Sequence, residues 1–343
     1  MKKLLLASAV AALSVSAANA APTVYGKVFL SLDAVDSDFT DSTDVELNST
    51  ASRIGLKGSE ALTANTDVIY QLEYVVNPDQ QLKSDGTKAD QFESRDTYIG
   101  FANNTVGTFK FGRNSSITDG INNVQQAFGG IQGTVPGLYG IADGNRVDNS
   151  MIWTAPTASL PVELNLMAST EENHDDAGYG ASVMFDQGTG YTLAVAYTDA
   201  LDADAEVLRA TATYDMAKTM GTPLKLGVMY QQAEWNDAPI GLLGYGNEKE
   251  KELMVTAAYD LVNTPWTVWA EFDQAKDLSG VKDADVTKIS VGGRYAFTKA
   301  ATGHIYAGNT KFEGDAYRKL VDDKATRTKG DEFMIGTGIE YKF

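Results

Sequence analysis

The chain ends "GTGIEYKF" (residues 336–343), where Ile339, Tyr341 and Phe343 are apolar or aromatic and Glu340 and Lys342 stand between them. A period of two marks a β-strand whose two faces meet different surroundings. Termini of soluble domains usually fray and carry polar residues. This one stops on a phenylalanine. The pattern implies an apolar medium on one face and water on the other.

The same alternation recurs upstream. In "TVYGKVFLSLDA", Val24, Val28, Leu30 and Leu32 share one face, and Lys27, Ser31 and Asp33 share the other. In "LKLGVMYQQ", Leu224, Leu226, Val228 and Tyr230 oppose Lys225, Gly227, Met229 and Gln231. In "KISVGGRYAF", Ile289, Val291, Tyr295 and Phe297 oppose Lys288, Ser290, Gly292 and Arg294. The second face is small, polar or charged throughout. Alternation over segments of about ten residues is the signature of a transmembrane barrel strand.

Strand ends carry a further repeat. Phe185, Tyr214, Tyr259, Phe297 and Phe343 each close a strand, and short connectors such as "DQGTG" and "TKAATG" follow the earlier ones. Acidic segments, "DSDFTDSTDVE", "TEENHDDAG" and "DALDADAE", occupy the opposite ends and read as long loops. Short turns on one side, longer loops on the other and an aromatic girdle fit an outer-membrane barrel. A soluble β-sandwich also alternates, but it turns its aliphatics inward and needs no one-sided loop lengths.

The N-terminus sets the compartment. "MKKLLLASAVAALSVSAANA" has two lysines, an apolar run and the small-residue site Ala18-Asn19-Ala20, so residues 1–20 are expected to be a cleavable signal and 21–343 one barrel domain. The formal net charge is -18, which disfavours nucleic acid as a partner. No cysteine is present, so an exported fold must be stable without disulfides. The expected fold class is all-β: a sixteen-stranded antiparallel transmembrane β-barrel, with strands at 23–34, 52–60, 66–75, 95–103, 107–113, 150–155, 160–169, 177–186, 190–199, 206–215, 224–233, 249–259, 266–275, 286–297, 303–312 and 331–343. An even count puts both termini on the short-turn side. Asp96 and Lys311 fit this alternation poorly.

Several stretches carry a family resemblance. "VYGKVFLSLDA", "ASRIGLKGSEAL", "SRDTYIGFANNTVGTFKFGRN", "NRVDNSMIWTAP" and the terminal "GIEYKF" together resemble the trimeric general diffusion porins of Gram-negative bacteria, over the whole mature chain. The resemblance implies a homotrimer in the outer membrane that passes ions and small hydrophilic solutes. It also implies that the third loop, about 114–145, folds inward as a constriction. A connector of that length containing "AFGGIQGTVPGLYGI" is too apolar for a free solvent loop. Carried over by motif, Lys27, Arg53, Arg95 and Arg146 form a basic ladder on the wall. Asp119, Asp143 and Asp148 are the acidic candidates opposite it, although the family's Pro-Glu-Phe tip motif is absent here. Arg113 shares a face with Phe109 and Phe111 and is expected at a subunit contact. Tyr341 and Phe343 resemble the signal read by the outer-membrane assembly machinery.

Other chemistry was weighed. A barrel enzyme of serine or aspartate-histidine type needs a histidine base, and only His174 and His304 exist, neither beside a nucleophile motif. The acidic segments lack the glycine turn of a twelve-residue calcium loop. No cofactor is expected beyond diffuse Mg²⁺ or Ca²⁺ bridging to lipopolysaccharide. A solute-specific channel is the remaining alternative. Outer-loop charge is screened beyond about 8–10 Å, so only a weak cation preference is expected.

Overall fold

A segment that alternates apolar and polar residues can satisfy both faces only as a strand between two media. The computed structural model describes residues 21–38, 42–79, 92–133, 146–156, 161–170, 177–201, 204–235, 248–314 and 329–343. The expected signal at 1–20, the loop residue Asp143 and His174 lie outside them. Seventeen strands form one antiparallel sheet among the described residues. They are β1 (Thr23–Ser37), β2 (Ser42–Ser49), β3 (Arg53–Thr63), β4 (Thr66–Val76), β5 (Phe92–Asn103) and β6 (Gly107–Ser115). The wall continues through β7 (Arg146–Thr154), β8 (Glu163–Ser169), β9 (Tyr179–Asp186), β10 (Tyr191–Asp199), β11 (Ala205–Asp215) and β12 (Leu224–Trp235). It ends with β13 (Glu250–Asp260), β14 (Trp266–Lys276), β15 (Asp285–Ala296), β16 (Ala301–Glu313) and β17 (Gly330–Lys342).

Apart from β2 and β3, which both pair with β1, each strand pairs with its neighbours in sequence, and β17 returns to pair with β1, so the sheet closes. Two of the segments share one place in the wall. The upper half of β1 pairs with β2 and its lower half with β3, which leaves the sixteen positions expected. Lys27 pairs with Arg53 but Leu30 with Ser49, so the second wall strand carries one extra residue, and Ala51 there takes φ 50. The Ser52 hydroxyl accepts the Phe29 N–H at 3.0 Å, supplying the partner that the bulge removes from the ladder. The "DSDFTDSTDVE" segment is therefore mostly a hairpin of β1 and β2 and not a long loop. Only Val45 and Leu47 alternate with the polar residues of β2, too short a run to mark the strand.

The faces are inverted relative to a soluble domain. On β15, Ile289 and Val291 are more than half exposed, while Lys288 and Ser290 are buried. The short-turn rim carries the aromatic residues: Tyr191 stacks on Tyr214 at 4.6 Å, and Trp266, Tyr295 and Phe297 meet edge to face at about 5 Å. Lys311, which fits the alternation poorly, lies near the open end of β16 in an exposed pair with Glu313 at 2.8 Å.

The terminal strand makes the seam. Gly26 and Phe343 exchange two backbone hydrogen bonds, Gly26 N to Phe343 O at 3.0 Å and Phe343 N to Gly26 O at 3.1 Å. The Phe343 ring occupies the space that a Cβ on Gly26 would need. Deleting Phe343 removes both bonds and a buried ring edge at the last rung of closure. The folded form should then be lost at a lower temperature in a heat-modifiability assay in detergent. An unchanged transition would show that the seam closes without its last residue.

Candidate functional site

The face opposite the exposed aliphatics carries the chemistry. Lys27 on β1, Arg53 on β3, Arg95 on β5 and Arg146 on β7 occupy one side of that inner wall. The structure brings all four together, and each has a carboxylate partner on the wall itself. Arg53 Nε lies 3.6 Å and Arg95 Nε 2.6 Å from the two oxygens of Glu73. Arg146 Nε is 3.4 Å from Asp96, and Lys27 Nζ is 3.6 Å from Glu340. Glu73 and Asp96, unremarked as partners in the sequence, are thus the main acids of the ladder.

Two bulges explain what simple alternation misjudges. Between β4 and β5 the register shifts, with Leu72 opposite Thr97 but Tyr74 opposite Ser94. The extra residue lies at 95–96, so Arg95 and Asp96 both reach inner-wall partners although they are adjacent. That accounts for Arg95 sharing the parity of Ile99 and for the awkward Asp96. Between β6 and β7, Gly112 faces Ser150 and Asn114 faces Val147, which inserts a residue at 148–149 with Asn149 at φ 50. Asp148 consequently does not face the loop. It forms an ion pair with Arg113 on the same side as the exposed Phe111. The Arg113 side chain also donates from Nε to the Ser94 carbonyl at 3.1 Å.

Asp119 is the loop acid that the structure describes. It sits in α1 (Ile117–Gly120), where the Ser116 hydroxyl caps the Thr118 N–H, and it acts electrostatically on Arg146 together with Asp96 and Glu73.

Past α1, residues 121–131 run along the inner face of the other half of the wall. Successive backbone groups meet successive strands. Arg209 on β11 donates to Thr118 O at 3.3 Å, Thr211 to Ile121 O at 3.0 Å, and Thr256 on β13 to Val124 O at 2.8 Å. Glu271 on β14 accepts both the Gln126 N–H at 2.7 Å and the Ala127 N–H at 3.0 Å. Tyr306 on β16 accepts the Gly130 N–H at 3.0 Å and donates its own hydroxyl hydrogen bond to Asp33. Lys288 on β15 holds the end, with Nζ 3.4 Å from Ile131 O, 2.9 Å from Asp273 and 3.5 Å from Glu271. Between these bonds Ile117, Ile121, Val124 and Ile131 bury their side chains against Met167, Ala194, Met229 and Trp269 in turn. The segment is therefore lining and not linker. The apolar stretch at 127–141 already pointed to a loop lying inside the wall; what sequence reasoning missed is its anchors Glu271, Asp273 and Lys288, three charges at polar-face positions of neighbouring strands.

His304 packs its ring 4.7 Å from Phe29 and 6.1 Å from Phe128, and its carbonyl accepts the Thr337 hydroxyl at 3.0 Å. Its Nε2 has no hydrogen-bond partner.

The comparisons with known proteins agree with this geometry. A family model described as Gram-negative porin matches residues 7–315. Outer membrane protein F of Serratia marcescens is 26% identical and Outer membrane porin N of Escherichia coli strain K12 is 24% identical, each over the full length of both chains. Among solved structures, the anion-selective porin from Comamonas acidovorans superposes with TM-score 0.70 at 18% identity, covering 94% of this chain and all of that one. Outer membrane protein F of Salmonella typhi, solved with daunomycin, gives TM-score 0.66 at 19% identity, covering 94% of this chain and 97% of the other.

Glu271 is the test of the loop's attachment. Glu271→Ala leaves two buried N–H groups without an acceptor, each costing about 1–3 kcal/mol, while the strand ladder is untouched. Single-channel recordings in planar bilayers are expected to show a larger and noisier conductance with an unchanged folding yield. A wild-type trace would mean that the other anchors hold the loop alone.

Proposed function

Because the chain belongs to the Gram-negative porin family, an outer-membrane channel for passive diffusion of solutes, we propose that residues 116–133 narrow its lumen against the ladder of Lys27, Arg53, Arg95 and Arg146. What carries this reading is the row of hydrogen bonds from β11 to β16 that ties the loop backbone to one half of the inner wall, while the ladder occupies the other half. Opposed charges across a narrow, partly low-dielectric lumen set up a transverse field. Water and polar solutes align in it, and an apolar solute must displace ordered water. No step in this passage needs a catalytic group.

Selectivity follows from how far the ladder is neutralised. Its four cations are balanced by Glu73, Asp96 and Glu340 on the wall, with Asp119 of the loop acting on Arg146. A nearly balanced constriction discriminates weakly by sign, and the surplus acid of the outer segments is largely screened before it reaches the constriction. Reversal potentials in a salt gradient across planar bilayers should show a modest cation preference. Glu73→Gln frees Arg53 and Arg95 together and should move the potential toward anions. A wild-type potential that is strongly anion-selective would refute the assignment, and an absence of ohmic conductance would refute the channel itself.

The homotrimer expected from the sequence is supported by an outward charge pair. Arg turned toward hydrocarbon costs about 2–4 kcal/mol near mid-membrane, so Arg113 and Asp148, with Phe92 and Phe111 nearby, suit cover by a neighbouring subunit. A related outer-membrane protein of Vibrio cholerae, at 16% identity, is described in a trimer form. Arg113→Glu should lower the temperature at which the trimer dissociates. Full rescue by exchanging the charges, Arg113→Asp with Asp148→Arg, would assign the effect to the pair within one chain and not to the interface. Tyr341 and Phe343, exposed on the outer face of the terminal strand, suit recognition by the assembly machinery, and the acidic outer segments suit Mg²⁺ or Ca²⁺ bridges to lipopolysaccharide.

A further inference from the structure

Beneath the anchored loop, toward the short-turn rim, lies a recess of about 360 Å³ that the ladder and the loop's hydrogen bonds do not use. Its roof is the loop segment carrying Asn123, Gln125 and Gln126, and its walls include Lys225, Asp260 and Arg294. These wall residues come from β12, β13 and β15, the half of the barrel opposite Arg95 on β5. Parity places them on the inner face, since Lys225 alternates with exposed Leu226 and Val228, and Arg294 follows buried Lys288 and Ser290 at even positions.

The charges in the recess balance. Lys225 and Arg294 are offset by Asp260 and by Asp215, the residue that caps α2 (Met216–Met220). A balanced lining does not concentrate ions of either sign. It does present planar donors and acceptors, and several are already held in place. Arg294 donates to Gln126 Oε1 at 2.9 Å and lies 5.7 Å over the Phe128 ring. Asp260 accepts the Thr267 hydroxyl at 2.5 Å, keeping its other oxygen in reserve. Asn123 Oδ1 has no hydrogen-bond partner. Carboxylate, guanidinium and amide groups each offer two polar atoms in one plane, which matches the adjacent hydroxyls of a sugar. The recess is roomy enough for a hexose ring with bridging water.

We propose that this recess is a binding subsite for neutral polyhydroxylated solutes of hexose size on the permeation path. The proposal rests on the channel reading above and deepens it: the pore retains such solutes briefly instead of passing them by size alone. Ions of one sign gain nothing there, and a linear ether of equal size lacks the paired hydroxyls.

The test uses the intact channel in planar bilayers, with its ohmic conductance measured first. An absence of conductance would sink the channel reading itself, before any sugar is added. D-Glucose is then titrated against triethylene glycol and glycine betaine. A saturable fall in ion current with glucose is expected, against only a linear, viscosity-like fall with the other two. Asp260→Asn, which keeps the shape and removes a charged acceptor, should weaken the glucose effect about tenfold. Lys225→Gln, which removes one of the two cations lining the recess, should weaken it several-fold. Equal linear responses to glucose and triethylene glycol would overturn the proposal. Saturation by betaine alone would overturn it too, by making the recess a site for zwitterions.

Discussion

A sheet with hydrocarbon along one face can leave no backbone N–H or C=O unpaired at an edge, because nothing in the lipid will pair it. Every other feature of this chain follows from meeting that demand. The ladder between β1 and β17 closes the sheet, and closure removes the edges that an open sheet must otherwise shield. It also divides the side chains permanently into two populations. Residues such as Val28, Ile289 and Ile339 face outward with about half of their surface exposed. Their immediate neighbours enclose a polar interior that must be filled, paired or hydrated.

The interior is satisfied in two different ways. On the β1–β7 side, long cations reach wall carboxylates across neighbouring strands, and the polar groups remain partly accessible. On the β11–β16 side the loop covers the wall, and three charges under its end are wholly buried. Lys288, Glu271 and Asp273 form that buried group. Desolvating three charges is expensive, and their mutual attraction repays it only when further hydrogen bonds complete the arrangement. The loop backbone provides those bonds through Gln126, Ala127 and Ile131. Wall and loop therefore depend on each other: the loop is held because the charges need it.

Much of this was legible as pattern. Alternation identifies which residues of β12 and β15 face in, and the aromatic repeat locates the short-turn rim. Legibility fails where the period of two slips. One inserted residue at 95–96 turns adjacent side chains to the same face, and another at 148–149 sends Asp148 outward to Arg113. No local residue type announces either bulge; both arise from the register that neighbouring strands impose. The hairpin of β1 and β2 was hidden for the opposite reason. Its strand is held by backbone pairing in a segment whose outer face carries only Val45 and Leu47 amid acidic residues.

The sequence by itself determined the class of environment, the number of wall strands and the seam at Phe343, because each is written in a short-range period or at a chain end, whereas the cations of the ladder were reached only through the family resemblance. Tertiary structure alone decided the partners. Glu73 sits between Arg53 and Arg95, Glu271 holds a loop about 145 residues earlier in the chain, and Asn123 meets Lys225 and Arg294 over one recess. Those meetings depend on which strands close next to which and on how far the loop reaches across them. That is a property of the closed sheet, and no stretch of its residues carries it alone.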